Sequence, residues 1–128
     1  MLTDPGSNTR ILIADDEQIV ADTLRTIVSK HGFEVVVAYN GKTAIERVRQ
    51  FCPQVLLCDV MMPDMNGVEV AIQVRAILPE CRILLFSGPA GVHDLLQEAR
   101  VRGHQFELLP KPIHPSELLD HLRSLISN

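Results

Sequence analysis

The stretch Val55–Gly67 reads Val-Leu-Leu-Cys-Asp-Val-Met-Met-Pro-Asp-Met-Asn-Gly, an apolar run followed by one carboxylate and then by turn-forming residues. An apolar run without polar alternation indicates a strand that is buried on both faces, as in a parallel sheet covered by helices. Asp59 ends this strand, and the carboxyl edge of an open α/β sheet is where ligands bind. The alternative is that Asp59 simply begins a turn, where Asp is common.

The rest of the chain repeats a unit of one short apolar run and one amphipathic helix. Apolar runs occur at residues 10–16, 33–39, 55–59, 82–86 and 106–109. Helical patterns cover 18–31, the segments that begin at Asn40-Gly41 and at Asn66, 92–102, and the segment that begins at Pro115. Alternating strands and helices predict an α/β fold with one doubly wound parallel sheet of five strands and five helices. The leading topology is the flavodoxin-like strand order 2-1-3-4-5.

Local signals make the helix predictions more specific. Asn66 with Glu69 three residues later is typical of a capping box, and Gly32 is a natural stop for the first helix. The fourth helix has few large apolar residues, so we expect it to be the least firmly held. The apolar face of the first helix is predicted to contain Ile19, Val20, Leu24, Ile27 and Val28.

Length and composition restrict the class of protein. A chain of 128 residues corresponds to one domain, which we place at residues 10–128 behind a flexible leader at 1–9. The net charge of −4 argues against nucleic acid as a direct partner. No apolar stretch approaches the length of a membrane span, and the polar N-terminus lacks the apolar core of a secretion signal. We therefore expect a cytoplasmic location.

Polar side chains follow four of the predicted strands, and they are Asp15 and Asp16, Asp59, Ser87 and Lys111. Because the carboxyl ends of parallel strands share one edge of the sheet, these side chains should meet in one crevice. Three carboxylates there would repel one another, and Mg²⁺ would relieve that repulsion. One carboxylate could then attack phosphorus, with the ammonium and the hydroxyl binding the transferred group. The set is chemically complete for phosphoryl transfer to Asp59.

Each of these residues also has an ordinary structural explanation. Asp15 and Asp16 could cap the helix that follows them, Ser87 could begin a turn, and Lys111 could be an exposed lysine between two prolines. A flavin-binding electron carrier on the same fold is a second alternative, although the acidic edge would repel its phosphate. The coincidence of all five residues at one edge favours the phosphoryl-transfer hypothesis.

The combined pattern resembles the receiver domain of bacterial two-component response regulators. The residues that carry the resemblance are Asp15-Asp16, the stretch 59–67, Ser87 and Lys111-Pro112, and it extends over Arg10–Asn128. The resemblance implies a signalling domain that catalyses only its own phosphorylation and dephosphorylation. It also implies that a histidine kinase is the phosphodonor and that a downstream protein or domain receives the signal.

The resemblance assigns a role to each matched residue. Asp59 is implied as the phosphoacceptor, Ser87 as the switch hydroxyl and Lys111 as the phosphate-pairing lysine, with a cis peptide bond before Pro112. Direct Mg²⁺ ligands are implied at Asp16, at Asp59 and at the backbone carbonyl of Met61, while Asp15 acts through a bound water.

One position departs from the family pattern. The family usually has an aromatic residue three positions before the lysine, where this chain has Leu108. Either Phe106 replaces that residue or the aromatic part of the switch is absent, and we favour plain core packing for Phe106. This departure bears on the output mechanism and not on phosphorylation. A third hypothesis is a receiver-like binding module that no longer takes phosphate, which ranks below the first because all five matched positions are intact.

The sequence does not identify the cognate kinase or the output. It also leaves open whether phosphorylation produces a homodimer, and whether the domain stands alone or is part of a larger protein.

Overall fold

The computed structural model describes residues 9–88 and 92–126. The strands are β1 (Arg10–Ala14), β2 (Glu34–Ala38), β3 (Val55–Asp59), β4 (Arg82–Ser87) and β5 (Glu107–Pro110). The helices are α1 (Gln18–Ser29), α2 (Gly41–Phe51), α3 (Gly67–Ile77), α4 (Val92–Val101) and α5 (Pro115–Ile126). Strands and helices alternate without exception along these residues, as predicted.

The strands form one parallel sheet in the order β2-β1-β3-β4-β5, which confirms the predicted topology. β1 and β3 are neighbours, with Ala14 opposite Cys58 in their register. The acidic residues that follow β1 therefore lie beside Asp59, the last residue of β3. All five residues of β3 are buried, as expected for a central strand that is covered on both faces.

The sheet separates two apolar cores. One core packs α2, α3 and α4 against one face, and the other packs α1 and α5 against the opposite face. Odd and even residues of β1 divide between the cores: Leu12 belongs to the first, whereas Ile11 and Ile13 belong to the second. This alternation is the strand periodicity of two, and because both faces are covered, β1 has no polar residue from Ile11 to Ala14.

The predicted apolar face of α1 is wrong at one position. Ile19 is 82% exposed, and the residues of α1 that are buried are Ala21, Leu24 and Val28. Their spacing of three and four is that of one helix face, and Ile19 lies outside it. Ala21 is fully buried despite its small side chain, and a count of large apolar residues overlooks it.

Side-chain caps begin α2 and α3 as the sequence predicts. The side chain of Asn40 accepts a hydrogen bond from the N–H of Thr43, and that of Asn66 accepts one from the N–H of Glu69. The carboxylate of Glu69 pairs with Arg102, 3.3 Å away, which ties α3 to the end of α4. In α4 only Val92 and Ala99 are buried, in accord with the few large apolar residues of this helix.

Two predicted boundaries need comment. β5 begins and ends one residue later than the predicted 106–109. The strand can extend to Pro110 because β5 is an edge strand paired with β4, and a proline there leaves no second neighbouring strand without a hydrogen bond. The predicted leader lies outside the described residues up to position 8 and stays a prediction there. Thr9, however, is buried, and its carbonyl accepts the N–H of Glu34 at 2.9 Å.

Gly67, the first residue of α3, lies against the backbone that carries the end of β3. Its N–H donates to the carbonyl of Val60 at 2.7 Å. A Cβ atom at this position would collide with the carbonyl oxygen of Asp59 and would lie 2.8 Å from the Cα of Val60. Glycine at position 67 is therefore required by backbone contact.

We predict that Gly67→Ala lowers the free energy of unfolding by about 1–3 kcal/mol, because the backbone at Asp59 must shift to admit the methyl group. Gly88→Ala is the matched control, since an added Cβ there would meet no described atom within 4 Å. Urea unfolding of both variants measures the difference. Equal stability of the two variants would contradict the contact argument.

Candidate functional site

Three carboxylates meet at the carboxyl edge of the sheet. Asp15 and Asp16 follow β1, Asp59 ends β3, and one oxygen from each lies within 4.8 Å of the others. Asp15 and Asp59 are buried, whereas Asp16 is more exposed. In the part of the chain that the structure describes, this is the cluster of acidic, histidine or cysteine side chains that could hold a metal ion.

The ammonium of Lys111 lies among these carboxylates. Its Nζ is 3.4 Å from Oδ2 of Asp15 and 3.4 Å from Oδ1 of Asp59. It is also 5.4 Å from the centroid of the buried Phe86 ring, which forms an apolar floor beneath the charge. Lys111 follows β5, its N–H donates to the carbonyl of Ser87 at 2.9 Å, and the bond to Pro112 is cis, as the resemblance implies.

One lysine does not compensate the two buried acids. Burial and the neighbouring charge of Asp15 raise the pKa of Asp59 to about 6, against the opposing effects of Lys111 and of the Met61 N–H. Burial also raises the pKa of Asp15, although it accepts hydrogen bonds from the Glu17 N–H and from Lys111. For Lys111, burial disfavours the ammonium, but Asp15 and Asp59 outweigh it and raise its pKa. The site therefore carries a surplus of negative charge that a cation would neutralise.

Ser87 ends β4 with its side chain buried and its hydrogen-bonding capacity unused. Its Oγ is the buried side-chain oxygen that finds no partner among the described residues. A buried hydroxyl without a partner costs free energy, so a hydroxyl kept in this state suits an acceptor that arrives with a ligand. This favours the functional interpretation of Ser87 over a turn-forming one, in which the hydroxyl would bond to nearby backbone.

The ordinary explanation of Asp15 as a helix cap is wrong, because the N-cap of α1 is Glu17 and no side chain caps this helix. The Oδ1 of Asp15 accepts the N–H of Glu17 at 2.9 Å, so this carboxylate also organises the approach to α1. Its second oxygen faces Lys111, and the two roles coexist on one side chain. Met61 follows β3, and its backbone lowers the pKa of Asp59 against the larger effect of burial. The role of its carbonyl as a metal ligand stays a prediction.

The two candidates for the missing aromatic contact occupy different places. Phe106 packs beside the core of α2, α3 and α4, with the guanidinium carbon of Arg75 4.2 Å from its ring centroid. Leu108 instead lines an apolar cavity of about 380 Å³ that extends to Ser87 and Lys111. Plain packing therefore accounts for Phe106, as favoured from sequence, and leucine holds the position next to the site.

Sequence reasoning missed Glu17 as a neighbour of the site. Its Oε1 lies 3.7 Å from Nζ of Lys111 at the exposed rim. The signal was present, because Glu17 directly follows the two aspartates and makes an acidic run of three. The position of a residue in an acidic run does not show the direction of its side chain. Here the chain bends into α1, and the carboxylate of Glu17 lies near Lys111.

A parallel sheet of this order, with a buried aspartate, a lysine and a cluster of acids at one edge, defines the class of flavodoxin-like signalling domains. The family model described as the response regulator receiver domain matches residues 11–123. The chain therefore belongs to the response regulator receiver family, and it is a receiver domain of the two-component type.

Curated relatives agree with this assignment. The response regulator MprA of Mycobacterium ulcerans is 34% identical over 91% of this chain, and that of Mycobacterium avium is 33% identical over 91%. The matched region makes up 50% of each relative, so this chain spans about half their length.

Solved structures show the same fold. A CheY-like receiver domain protein from Methanospirillum hungatei superposes with a TM-score of 0.85 at 23% identity, covering 94% of this chain and 95% of that one. A two-component transcriptional regulator, AraC, from Clostridium phytofermentans superposes with a TM-score of 0.77 at 32% identity, covering 94% and 93%. Separately, no helix among residues 9–88 and 92–126 has the length and apolar character that crossing a membrane demands.

We predict that Asp59→Asn raises the free energy of unfolding of the metal-free protein at pH 7.5 by about 2 kcal/mol. The pKa of Asp59 is raised to about 6 in the folded state, so its ionisation destabilises the fold. The stability that protonated Asp59 contributes is fully present below the ordinary aspartate pKa near 4, and it is lost as the pH rises through about 6. Urea unfolding in EDTA at pH 4 and pH 7.5 measures the difference, which should appear only at the higher pH.

We also predict that Ser87→Ala does not lower stability, and that it raises the free energy of unfolding by up to about 1 kcal/mol. The substitution removes a buried hydroxyl that has no partner among the described residues. Thermal or urea unfolding measures this. A loss of more than about 1 kcal/mol would mean that the hydroxyl has a structural partner in the resting protein.

Proposed function

We propose that Asp59 is the phosphoacceptor of this receiver domain and that a histidine kinase donates the phosphoryl group. The observation that carries the proposal is the arrangement around Asp59: a buried carboxylate with Lys111 Nζ at 3.4 Å and with other carboxylate oxygens within 4.8 Å. A pKa of about 6 leaves this carboxylate mostly ionised at neutral pH, as a nucleophile must be.

The proposed step joins a carboxylate oxygen of Asp59 to the phosphorus of a phosphohistidine. The new P–O bond forms while the P–N bond breaks, and the imidazole nitrogen keeps the electron pair and takes up a proton from water. Lys111 then pairs with a phosphoryl oxygen in place of the Asp59 carboxylate, and the free hydroxyl of Ser87 donates to another. The negatively charged phosphoryl group thus passes from the kinase to the carboxyl edge of the sheet, where Lys111 and Ser87 already lie.

The acidic cluster fits Mg²⁺, because the cluster has a surplus of negative charge and offers the oxygen ligands that this ion prefers. We assign direct contacts to Asp16, Asp59 and the carbonyl of Met61, and a water-mediated contact to Asp15. The bound ion would neutralise the developing charge on the phosphoryl group. Lys111 Nζ, 3.4 Å from a carboxylate oxygen of Asp15 and 3.4 Å from one of Asp59, pairs with both of these acids.

The phosphoryl group on Asp59 would act on a partner through the surface formed by α4, the helix that follows β4. Phosphate would draw in the Ser87 hydroxyl, and the adjoining α4, with only two buried residues, would shift with it. The output partner is a downstream protein or domain, and the protein acts on no external substrate. We also propose a cytoplasmic location, where a histidine kinase presents its phosphohistidine.

A binding module that no longer takes phosphate is the second candidate. The specific observation in its favour is Leu108, which stands where the family usually has an aromatic switch residue. The phosphoryl-accepting residues are nevertheless all present and adjacent, so the first candidate has the stronger support.

We predict that the wild-type protein gains one phosphoryl group when incubated with acetyl phosphate and Mg²⁺, and that Asp59→Asn abolishes the gain. Asparagine keeps the shape of the side chain but cannot form an acyl phosphate. Intact-mass spectrometry measures the product, and hydroxylamine sensitivity identifies the acyl phosphate bond.

Asp120→Asn is the control, because this carboxylate is on α5, is 81% exposed and pairs with Arg123. It should be labelled at the wild-type rate. Labelling of Asp59→Asn at that same rate would refute the proposal, and failure of the wild type at saturating donor and metal would favour the binding module.

A further inference from the structure

The loop between β3 and α3, residues 60–66, determines the surroundings of Asp59. Met61 in this loop lies two residues after Asp59, and its backbone lowers the pKa of Asp59 against the larger effect of burial. The loop is closed at its base, where the N–H of Gly67 donates to the carbonyl of Val60 at 2.7 Å. A closed base leaves the far side of the loop free to move unless something else holds it.

The far side is held by Asp64. Its Oδ1 accepts the N–H of Gly41 at 2.9 Å, and its Oδ2 accepts the N–H of Lys42 at 3.0 Å. These amides begin α2, more than 20 residues earlier in the chain. Burial works against the charge of Asp64, but the two amides outweigh it and lower its pKa. Both oxygens of the Asp64 carboxylate thus accept hydrogen bonds from the first residues of α2 and join the loop to that helix.

Close backbone packing accompanies these hydrogen bonds. A Cβ atom at Gly41 would lie 2.8 Å from the Cβ of Met65 and 3.2 Å from its carbonyl oxygen. Glycine at position 41 therefore lets the loop reach the helix start, and Asp64 fastens it there. The loop is therefore held at its base by the bond from Gly67 to Val60, and at its far side by the bonds from α2 to Asp64.

We infer that Asp64 is a positioning residue for the metal and phosphoryl site, because it fastens the β3–α3 loop to the start of α2 and so fixes the backbone of Met61 beside Asp59. This inference rests on the proposed function. Asp64 touches neither metal nor phosphate in this role and acts only through the loop. A ligand set that includes a main-chain carbonyl depends on such a support, since no side-chain rotation can correct a displaced backbone.

The competing explanation is that Asp64 merely caps α2. The chain offers a matched variant for this, because Asn40 caps the same helix by accepting the N–H of Thr43 at 2.8 Å. Asn40 lies outside the β3–α3 loop. Asp64→Ala and Asn40→Ala should both lower the melting temperature by a few degrees, because each removes capping of α2.

Mg²⁺ affinity separates the two roles. We expect calorimetric titration with MgCl₂ to give a dissociation constant about tenfold higher for Asp64→Ala and unchanged for Asn40→Ala. The backbone ¹⁵N–¹H resonance of Met61 should shift in Asp64→Ala and stay in place in Asn40→Ala. Asp64→Asn keeps one acceptor oxygen and can retain only one of the two hydrogen bonds, so its Mg²⁺ affinity should lie between those of the wild type and of Asp64→Ala.

Equal Mg²⁺ affinity of Asp64→Ala and Asn40→Ala would overturn the inference, since capping would then explain Asp64 completely. Wild-type Mg²⁺ affinity in Asp64→Asn would also overturn it, because loss of one of the two anchoring hydrogen bonds should weaken binding. Neither result affects the labelling of wild-type Asp59. Absence of both Mg²⁺ binding and labelling in the wild type would instead remove the proposed function, and this inference with it.

Discussion

The structure depends on a charge that its own residues do not balance. Adjacent β1 and β3 run parallel, so the acids after one strand and the acid that ends the other meet at the same edge. Lys111 reaches both buried carboxylates at 3.4 Å, yet the pKa of Asp59 stays raised. The sheet order creates this repulsion, because an arrangement that separated β1 from β3 would place the acids apart. A bound cation would offset this cost, which supports the magnesium site proposed above.

The fold was predictable because a parallel sheet buried on both faces has a strong sequence signal. Runs such as Val55–Cys58 lack polar positions, and helices with one apolar face separate them. The site was predictable for the same reason, since strand ends in such a sheet converge on one edge. Asp59, Ser87 and Lys111 could therefore be brought together from their positions after strands, without knowledge of any distance.

What escaped prediction depends on side-chain direction and on tight contact. The exposure of Ile19 follows from the rotation of α1, which buries Ala21, Leu24 and Val28 instead. The 3.7 Å contact of Glu17 with Lys111 depends on how the chain turns into α1. The bonds from Gly41 and Lys42 to Asp64 join segments that no periodicity relates. Such contacts are set by three-dimensional packing, which residue spacing does not encode.

Two deficits of the resting site are of the same kind. The cluster of carboxylates lacks positive charge, and the buried Ser87 hydroxyl lacks an acceptor among the described residues. Under the proposed function, Mg²⁺ would supply the first, and a phosphoryl group on Asp59 would supply the second. The loop that carries Met61 is held by Gly67 at one point and by Asp64 at another. Phosphorylation would therefore satisfy groups that the resting site leaves unsatisfied, and α4, with two buried residues, would be the element that responds.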